Sequence, residues 1–242
     1  MMNSEKSEVG LSKWDGTISP DKFQQGALAF AEKWKTVCVA HDHDLPNWSW
    51  VSCLNPHFLN LHQVDGYLSL EKMCILRSDK IDGETSDLVM EEELNCLESE
   101  DCTDPASLVQ QAAQQVHYYD FHIVYSSSYR IPVLYFRGYN SDGQTLKLDQ
   151  IERDLPPSSV EVLTESKWTF ITQQEHPYLN RPWYTLHPCG TNELMKLLMS
   201  NTCLSEDEDK VEAECFFIAW LSVVSQVVGL RMPLQMAVLQ HN

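Results

Sequence analysis

The sequence predicts an α+β fold in which one helix precedes an antiparallel sheet of about four to six strands and further helices follow it. Three observations support this prediction. Apolar residues recur with helical spacing over 20–39, runs rich in aromatic and β-branched residues lie between 48 and 151, and an apolar helical segment returns over 213–230. At 242 residues the chain can bury a core of its own, so we expect 1–242 to form a single domain.

The opening helix is expected over 20–39, with the sequence PDKFQQGALAFAEKWKTVCV. Ser19 is the candidate N-cap, because Pro20 behind it suits the first helical position. The apolar face predicted for this helix comprises Phe23, Leu28, Phe30, Ala31 and Trp34.

The sheet is expected from five segments that are rich in aromatic and β-branched residues or that alternate apolar with polar side chains. The last of them follows a Ser-Asp-Gly turn. Because consecutive strands joined by short connections pair antiparallel, these segments predict a meander. The five segments are 48–54, 66–76, 118–127, 131–139 and 142–151.

The C-terminal third begins with a loop over 155–162 and an irregular stretch, 168–191, that contains one possible strand pair. A helix is expected after Cys189, with Thr191 as its N-cap. Its predicted apolar face comprises Leu194, Leu197 and Leu198. The last helix, over 213–230, contains polar residues and is short for a membrane span of about 20 apolar residues, so we interpret it as a buried core helix.

The charge of the chain is strongly acidic and unevenly distributed. The formal net charge is −18, and two segments, 79–104 with eleven acids and 206–214 with six, supply most of it. Such a chain lacks the clustered Lys and Arg that bind nucleic acid, so no nucleic-acid partner is expected. The segment 78–105 is expected to be a solvated insertion between two core elements. The alternative is an acidic patch that binds a basic partner.

The eight cysteines indicate a reducing compartment, since the opening residues MMNSEKSEVG have no apolar run that would form a secretory signal. We therefore expect free thiols and a cytoplasmic protein. No C-x-x-C pair, Gly-rich phosphate loop or H-E-x-x-H motif is present, so neither a metal nor a cofactor is expected.

Cys189 is the cysteine whose setting suggests chemistry, although a buried thiol, a metal ligand and half of a disulfide are the alternatives. It lies between a His-Pro step and a Gly that precedes a helix, which places its sulfur near the positive end of that helix. That position can favour a thiolate. A hydrolase would need an orienting base, and His187 would point elsewhere in an extended segment. A thiol that exchanges acyl groups needs less, so the pattern indicates an acyl carrier.

The motif HPCGT follows ITQQEHPYLNRPWYTL, with YSSSYRIPVLYFRGYNSDG before it and AWLSVVSQVVGLRMPL after it. These stretches closely resemble the E2-like, ubiquitin-like-conjugating enzymes of autophagy, the autophagy-related protein ten family. The resemblance is strong over 117–233, looser over the first helix and strands, and does not include the acidic segment. It implies an E2-like fold.

The resemblance also implies a function. Cys189 would accept the ubiquitin-like modifier autophagy-related protein twelve from the E1-like autophagy-related protein seven, and would pass it to a lysine of autophagy-related protein five. A sister family that conjugates a modifier to a lipid also carries His-Pro-Cys, so lipid conjugation is one alternative. A non-catalytic E2-like scaffold is the other.

The resemblance does not identify the residue that stabilises the oxyanion at the site. In ordinary ubiquitin-conjugating enzymes a His-Pro-Asn sequence well before the cysteine supplies an asparagine that steadies the oxyanion, whereas here His-Pro joins Cys189 directly. Tyr129, His187 and Asn192 are the candidate substitutes. Tyr129 is expected to begin a strand just before Ile131, and it is favoured because the family places a tyrosine of that strand near the cysteine. Its alternative role is packing on the sheet.

Overall fold

The computed structural model describes residues 14–53, 64–76, 116–159, 171–199 and 209–237. Its helices are α1 (Pro20–Ala40), α2 (Leu148–Asp154), α3 (Thr191–Met199) and α4 (Asp209–Val227), with a final 3₁₀ turn at Leu234–Ala237. Its strands are β1 (Ser49–Ser52), β2 (Gly66–Leu76), β3 (Val116–Ser126), β4 (Ile131–Asn140), β5 (Ile171–Glu175) and β6 (Pro182–Leu186). The acidic segment 78–105 lies outside the described residues.

The six strands form one antiparallel sheet in the order β1-β2-β3-β4-β6-β5. This confirms the α+β prediction, the first four predicted strands and the strand pair expected within 168–191. Strands β3 and β4 pair along their whole length, from His117 with Asn140 to Ser126 with Ile131. The turn that joins them, residues 127–130, is thus the end of a long hairpin.

The fifth predicted strand, 142–151, is wrong. Only Thr145 makes a β-bridge, with Tyr139, and α2 begins at Leu148. Two local interactions favour the helix: the Lys147 amide donates to the side chain of Gln150 at 2.9 Å, and Ile151 is fully buried one turn after Leu148. The apolar residues of this segment alternate with polar ones, as in a strand. The segment is too short to distinguish the two-residue period of a strand from the 3.6-residue period of a helix.

Helices α1 and α4 pack on one face of the sheet, and their buried residues form the main core together with those of the strands. The buried face of α1 confirms three predicted residues but not Leu28, which is 45% exposed because it lies away from the stripe that faces the sheet. Each fully buried aromatic stabilises the fold by about 2 kcal/mol. The buried residues of α1 are Phe23, Gly26, Ala27, Phe30, Trp34 and Cys38.

Helix α4 is a buried core helix, as predicted, although it begins at Asp209. Phe217 is fully buried, with its ring centroid 5.2 Å from that of Phe23 on α1, and Trp220 and Leu221 are also buried. Within the described ranges, no helix is long and apolar enough to cross a membrane.

The opposite face of the sheet holds two buried histidines that form a hydrogen bond, His122 Nδ1 to His176 Nε2 at 3.0 Å. The Tyr178 amide donates to His176 Nδ1, so the proton of His176 is on Nε2 and points at His122. Burial lowers the pKa of His176 to about 4 and, together with the neighbouring His176 and Arg137, lowers that of His122 to about 3. The aromatic rings of Tyr67, Tyr135 and Trp183 pack against the pair.

We expect this pair to make stability depend on pH. Both pKa values are below that of histidine in the unfolded chain, near 6.5, so the unfolded chain binds more protons below that pH. The pair's contribution to the free energy of unfolding is therefore fully present above pH 6.5. It falls as pH drops towards 4, by about 1.4 kcal/mol per pH unit for each histidine. Thermal melts from pH 8 to 4.5 measure this, with His41→Gln at an exposed position as control. An equally steep fall in a His122→Phe variant would contradict it.

Candidate active site

Cys189 lies exposed in a turn between the end of β6 and the start of α3. Gly190 follows with φ +80°, a left-handed conformation that glycine adopts without strain. The amide of Thr191 donates to the Pro188 carbonyl at 3.2 Å and closes the turn. The thiol is therefore presented to solvent at the N-terminus of a helix, where partial positive charge stabilises a developing anion.

His187 folds back onto this turn, contrary to the expectation for an extended segment. Its Nδ1 accepts a hydrogen bond from the Cys189 amide at 3.1 Å. Because Nδ1 is the acceptor, the proton of the neutral ring is on Nε2. His187 can thus donate a hydrogen bond to a substrate oxygen from Nε2, while the lone pair that a base would need is already engaged.

Tyr129 lies in the turn between β3 and β4, not at the beginning of a strand as the sequence suggested. Its amide donates to Ser126 Oγ at 3.3 Å, and the residue is 48% exposed. Its ring stands edge-on to that of His187, with 6.3 Å between the centroids. The phenol therefore lies beside the cysteine turn instead of packing on the sheet.

Helix α3 begins one residue earlier than predicted. The Gly190 carbonyl accepts the hydrogen bond of Leu194, so Thr191 is the first helical residue and not the cap. Asn192 is half-buried in the first turn of this helix.

The predicted apolar face of α3 is also partly wrong. The buried residues are Met195 and Met199, whereas Leu197 is 72% exposed. The face that packs inward is instead the one on which the two methionines lie four residues apart.

An open cavity of about 200 Å³ lies beside the cysteine turn. Its lining residues include Tyr129, His187, Pro188, Gln174 and Tyr135. None of its lining residues is Asp, Glu, Lys or Arg. The lining therefore offers an entering amine no carboxylate that would stabilise its charged form.

The structure thus brings Tyr129 and His187 together beside the Cys189 turn, and places Asn192 directly after it. Sequence reasoning missed Gly16, whose backbone packs against Asn192, although the Asp-Gly pair at 15 and 16 is a turn signal. Within the described part of the chain, no group of three or more His, Cys, Asp or Glu could hold a metal ion.

A six-stranded antiparallel sheet, preceded by one helix and followed by others, with an exposed cysteine in the loop before a helix, defines an E2-like protein. The chain belongs to the family described as autophagocytosis-associated protein, active-site domain, whose model matches residues 22–235. The class and the family agree with the resemblance seen in the sequence.

Individual relatives indicate which kind of E2-like protein this chain is. The chain is 48% identical over 226 residues to the ubiquitin-like-conjugating enzyme ATG10 of Arabidopsis thaliana, covering 92% of this chain and 96% of that one. It is 42% identical over 127 residues to the Homo sapiens ATG10, covering 52% and 55%. Autophagy-related protein 3 of Saccharomyces cerevisiae (strain ATCC 204508 / S288c) is 31% identical over 123 residues, covering 50% and 37%. The chain is an E2-like conjugating enzyme of autophagy, a transferase.

Proposed function

We propose that Cys189 is the nucleophile and that it carries a ubiquitin-like modifier as a thioester. The observation that supports this most directly is its exposed thiol in the turn before α3, in a chain of the conjugating family. The thiolate attacks the activated C-terminal carbonyl of the modifier, a C–S bond forms, and the bond to the E1-like enzyme breaks.

The modifier in this proposal is autophagy-related protein twelve, delivered by the E1-like autophagy-related protein seven and passed to a lysine of autophagy-related protein five in the cytoplasm. The near full-length likeness to the Arabidopsis relative supports the protein-conjugating branch, whereas the autophagy-related protein 3 likeness extends over half of the chain. Lipid conjugation is the alternative that the test must separate from protein conjugation.

In the second step the lysine amine attacks the thioester carbonyl. A C–N bond forms, the C–S bond breaks, Cys189 leaves as a thiolate, and the proton that the amine nitrogen loses passes to that thiolate or to water. The neutral lining of the cavity supports the entry of an uncharged amine beside Tyr129. The Tyr129 hydroxyl and His187 Nε2 are the donors we assign to the developing oxyanion, and Asn192 is the third candidate.

The test is reconstitution with the E1-like enzyme, ATP and the modifier, followed by addition of autophagy-related protein five. We expect an adduct that disappears with thiol reductant, and then an isopeptide product that does not. Absence of any adduct would contradict the proposal that Cys189 carries the modifier as a thioester. Transfer to vesicles that contain an amine-bearing phospholipid, without transfer to the protein, would indicate the lipid-conjugating branch.

We also propose that 1–242 form one E2-like domain in which 78–105 are an insertion. The support is the pairing of Leu76 with Val116, since the chain between them joins two adjacent antiparallel strands.

Deleting residues 80–103 should accordingly leave the melting temperature and thioester formation unchanged, because the segment lacks a periodic apolar face. Thermal melts and the charging reaction measure this. Loss of soluble protein on deletion would contradict it, and slower charging with an unchanged melt would favour an acidic docking patch.

A further inference from the structure

Residues 14–19, here called the N-terminal strap, connect the two segments that carry the candidate site. One segment is the turn 127–130, which holds Tyr129, and the other is the cysteine turn with α3. The Ile18 amide donates to the Arg130 carbonyl at 2.8 Å, and the Tyr125 hydroxyl donates to the Ile18 carbonyl at 3.0 Å. These two bonds attach the strap to the hairpin.

Gly16 attaches the strap to α3 by direct backbone contact. A Cβ atom at this position would lie 2.0 Å from the Asn192 carbonyl oxygen and 2.7 Å from its carbon. Gly16 also has φ +80°, which favours glycine. No other residue allows the strap to approach the first turn of α3 so closely without moving one of them.

The two attachments are only two residues apart, so they hold the hairpin turn and α3 at a short separation. Two extended residues span at most about 7 Å. The strap between them is internally braced, since Thr17 donates to Asp15 Oδ1 from its amide at 3.1 Å and from its hydroxyl at 2.5 Å. Trp14 completes the brace: its Nε1 donates to the Thr17 carbonyl at 2.8 Å and its ring contacts Phe216 on α4.

We infer that the strap sets the position of Tyr129 relative to Cys189, and that Gly16 is a positioning residue for the transfer step. The inference rests on the proposed function, because it assumes that these two residues act on the same thioester. A side chain at 16 must displace either the strap or the first turn of α3, and either movement changes the separation between the hairpin turn and the cysteine turn. Misplacement of about 1 Å costs on the order of a hundredfold in rate.

The test compares Gly16→Ala with Gly143→Ala. Gly143 has φ +83° in an exposed turn, but a Cβ there meets nothing within 4 Å, so this control carries the backbone strain without the contact. Preformed thioester is discharged in a single turnover onto the acceptor protein, and separately onto hydroxylamine, which cleaves thioesters without help from the enzyme. For Gly16→Ala we expect acceptor discharge to fall roughly tenfold to a hundredfold and hydroxylamine discharge to stay within about twofold of wild type.

Trp14→Phe keeps the test decisive if Gly16→Ala does not fold. It retains an aromatic ring opposite Phe216 and deletes the hydrogen bond from Nε1 to the Thr17 carbonyl, so we expect acceptor discharge several-fold slower with unchanged hydroxylamine discharge. Acceptor discharge at the rate of Gly143→Ala, or equal slowing with both nucleophiles, would overturn the inference. Failure of wild-type protein to charge on Cys189 would instead overturn the proposed function.

Discussion

Cys189→Ser is expected to accept the modifier as an oxygen ester that survives thiol reductants. The hydroxyl can attack the same activated carbonyl, but an alkoxide is a poorer leaving group than a thiolate, so the ester accumulates. Transfer to the acceptor lysine should fall by roughly a thousandfold or more, the scale seen when a catalytic nucleophile is lost. Electrophoresis of the adduct with and without reductant, followed by addition of the acceptor, measures both effects.

Cys74→Ser is the matched control, because Cys74 is also exposed but lies on β2. This variant should charge and discharge as wild type does. If a thiol-labile adduct still forms in Cys189→Ser and is lost in another cysteine variant, that other cysteine is the nucleophile.

Tyr129→Phe is expected to charge normally and to discharge slowly. The substitution retains the ring that stands beside His187 and removes only the hydroxyl, which we assign to the oxyanion or to the incoming lysine. Removing one such donor costs about a hundredfold in rate. Single-turnover discharge of preformed thioester measures the effect, and the melting temperature should not change because the side chain is half exposed.

Tyr118→Phe serves as the control for a lost phenol, since Tyr118 stacks on Tyr139 near the far end of the β3–β4 hairpin. It should discharge at the wild-type rate. A wild-type rate in Tyr129→Phe as well would remove Tyr129 from the site and leave His187 Nε2 and Asn192 as the candidates.

Much of the fold was predictable because local pattern and tertiary context agree. Strands β3 and β4 are buried on both faces, which is why aromatic and β-branched residues dominate them. The errors arise where the pattern is short or several helix faces are apolar. Leu28 and Leu197 are exposed, although their hydrophobicity predicts burial. A few alternating residues predict a strand where the structure has α2.

The candidate site was only partly predictable, since its parts are distant in sequence. The setting of Cys189 between Pro and Gly is local and could be read from the chain. The contact between Gly16 and Asn192 joins residues far apart in the sequence, so no periodicity could indicate it. The orientation of His187 depends on the turn at Cys189 and Gly190, which an extended X-Pro step did not predict.

The hydrogen bond between the Cys189 amide and His187 Nδ1 also bears on how long the thioester survives. Water reacts with a thioester mainly when a base removes its proton, and His187, the imidazole nearest in sequence, has its only free lone pair occupied. An amine that arrives already uncharged needs no such help. For the thioester proposed at Cys189, this bond therefore disfavours hydrolysis relative to attack by an amine, which lengthens the time available for an acceptor to bind.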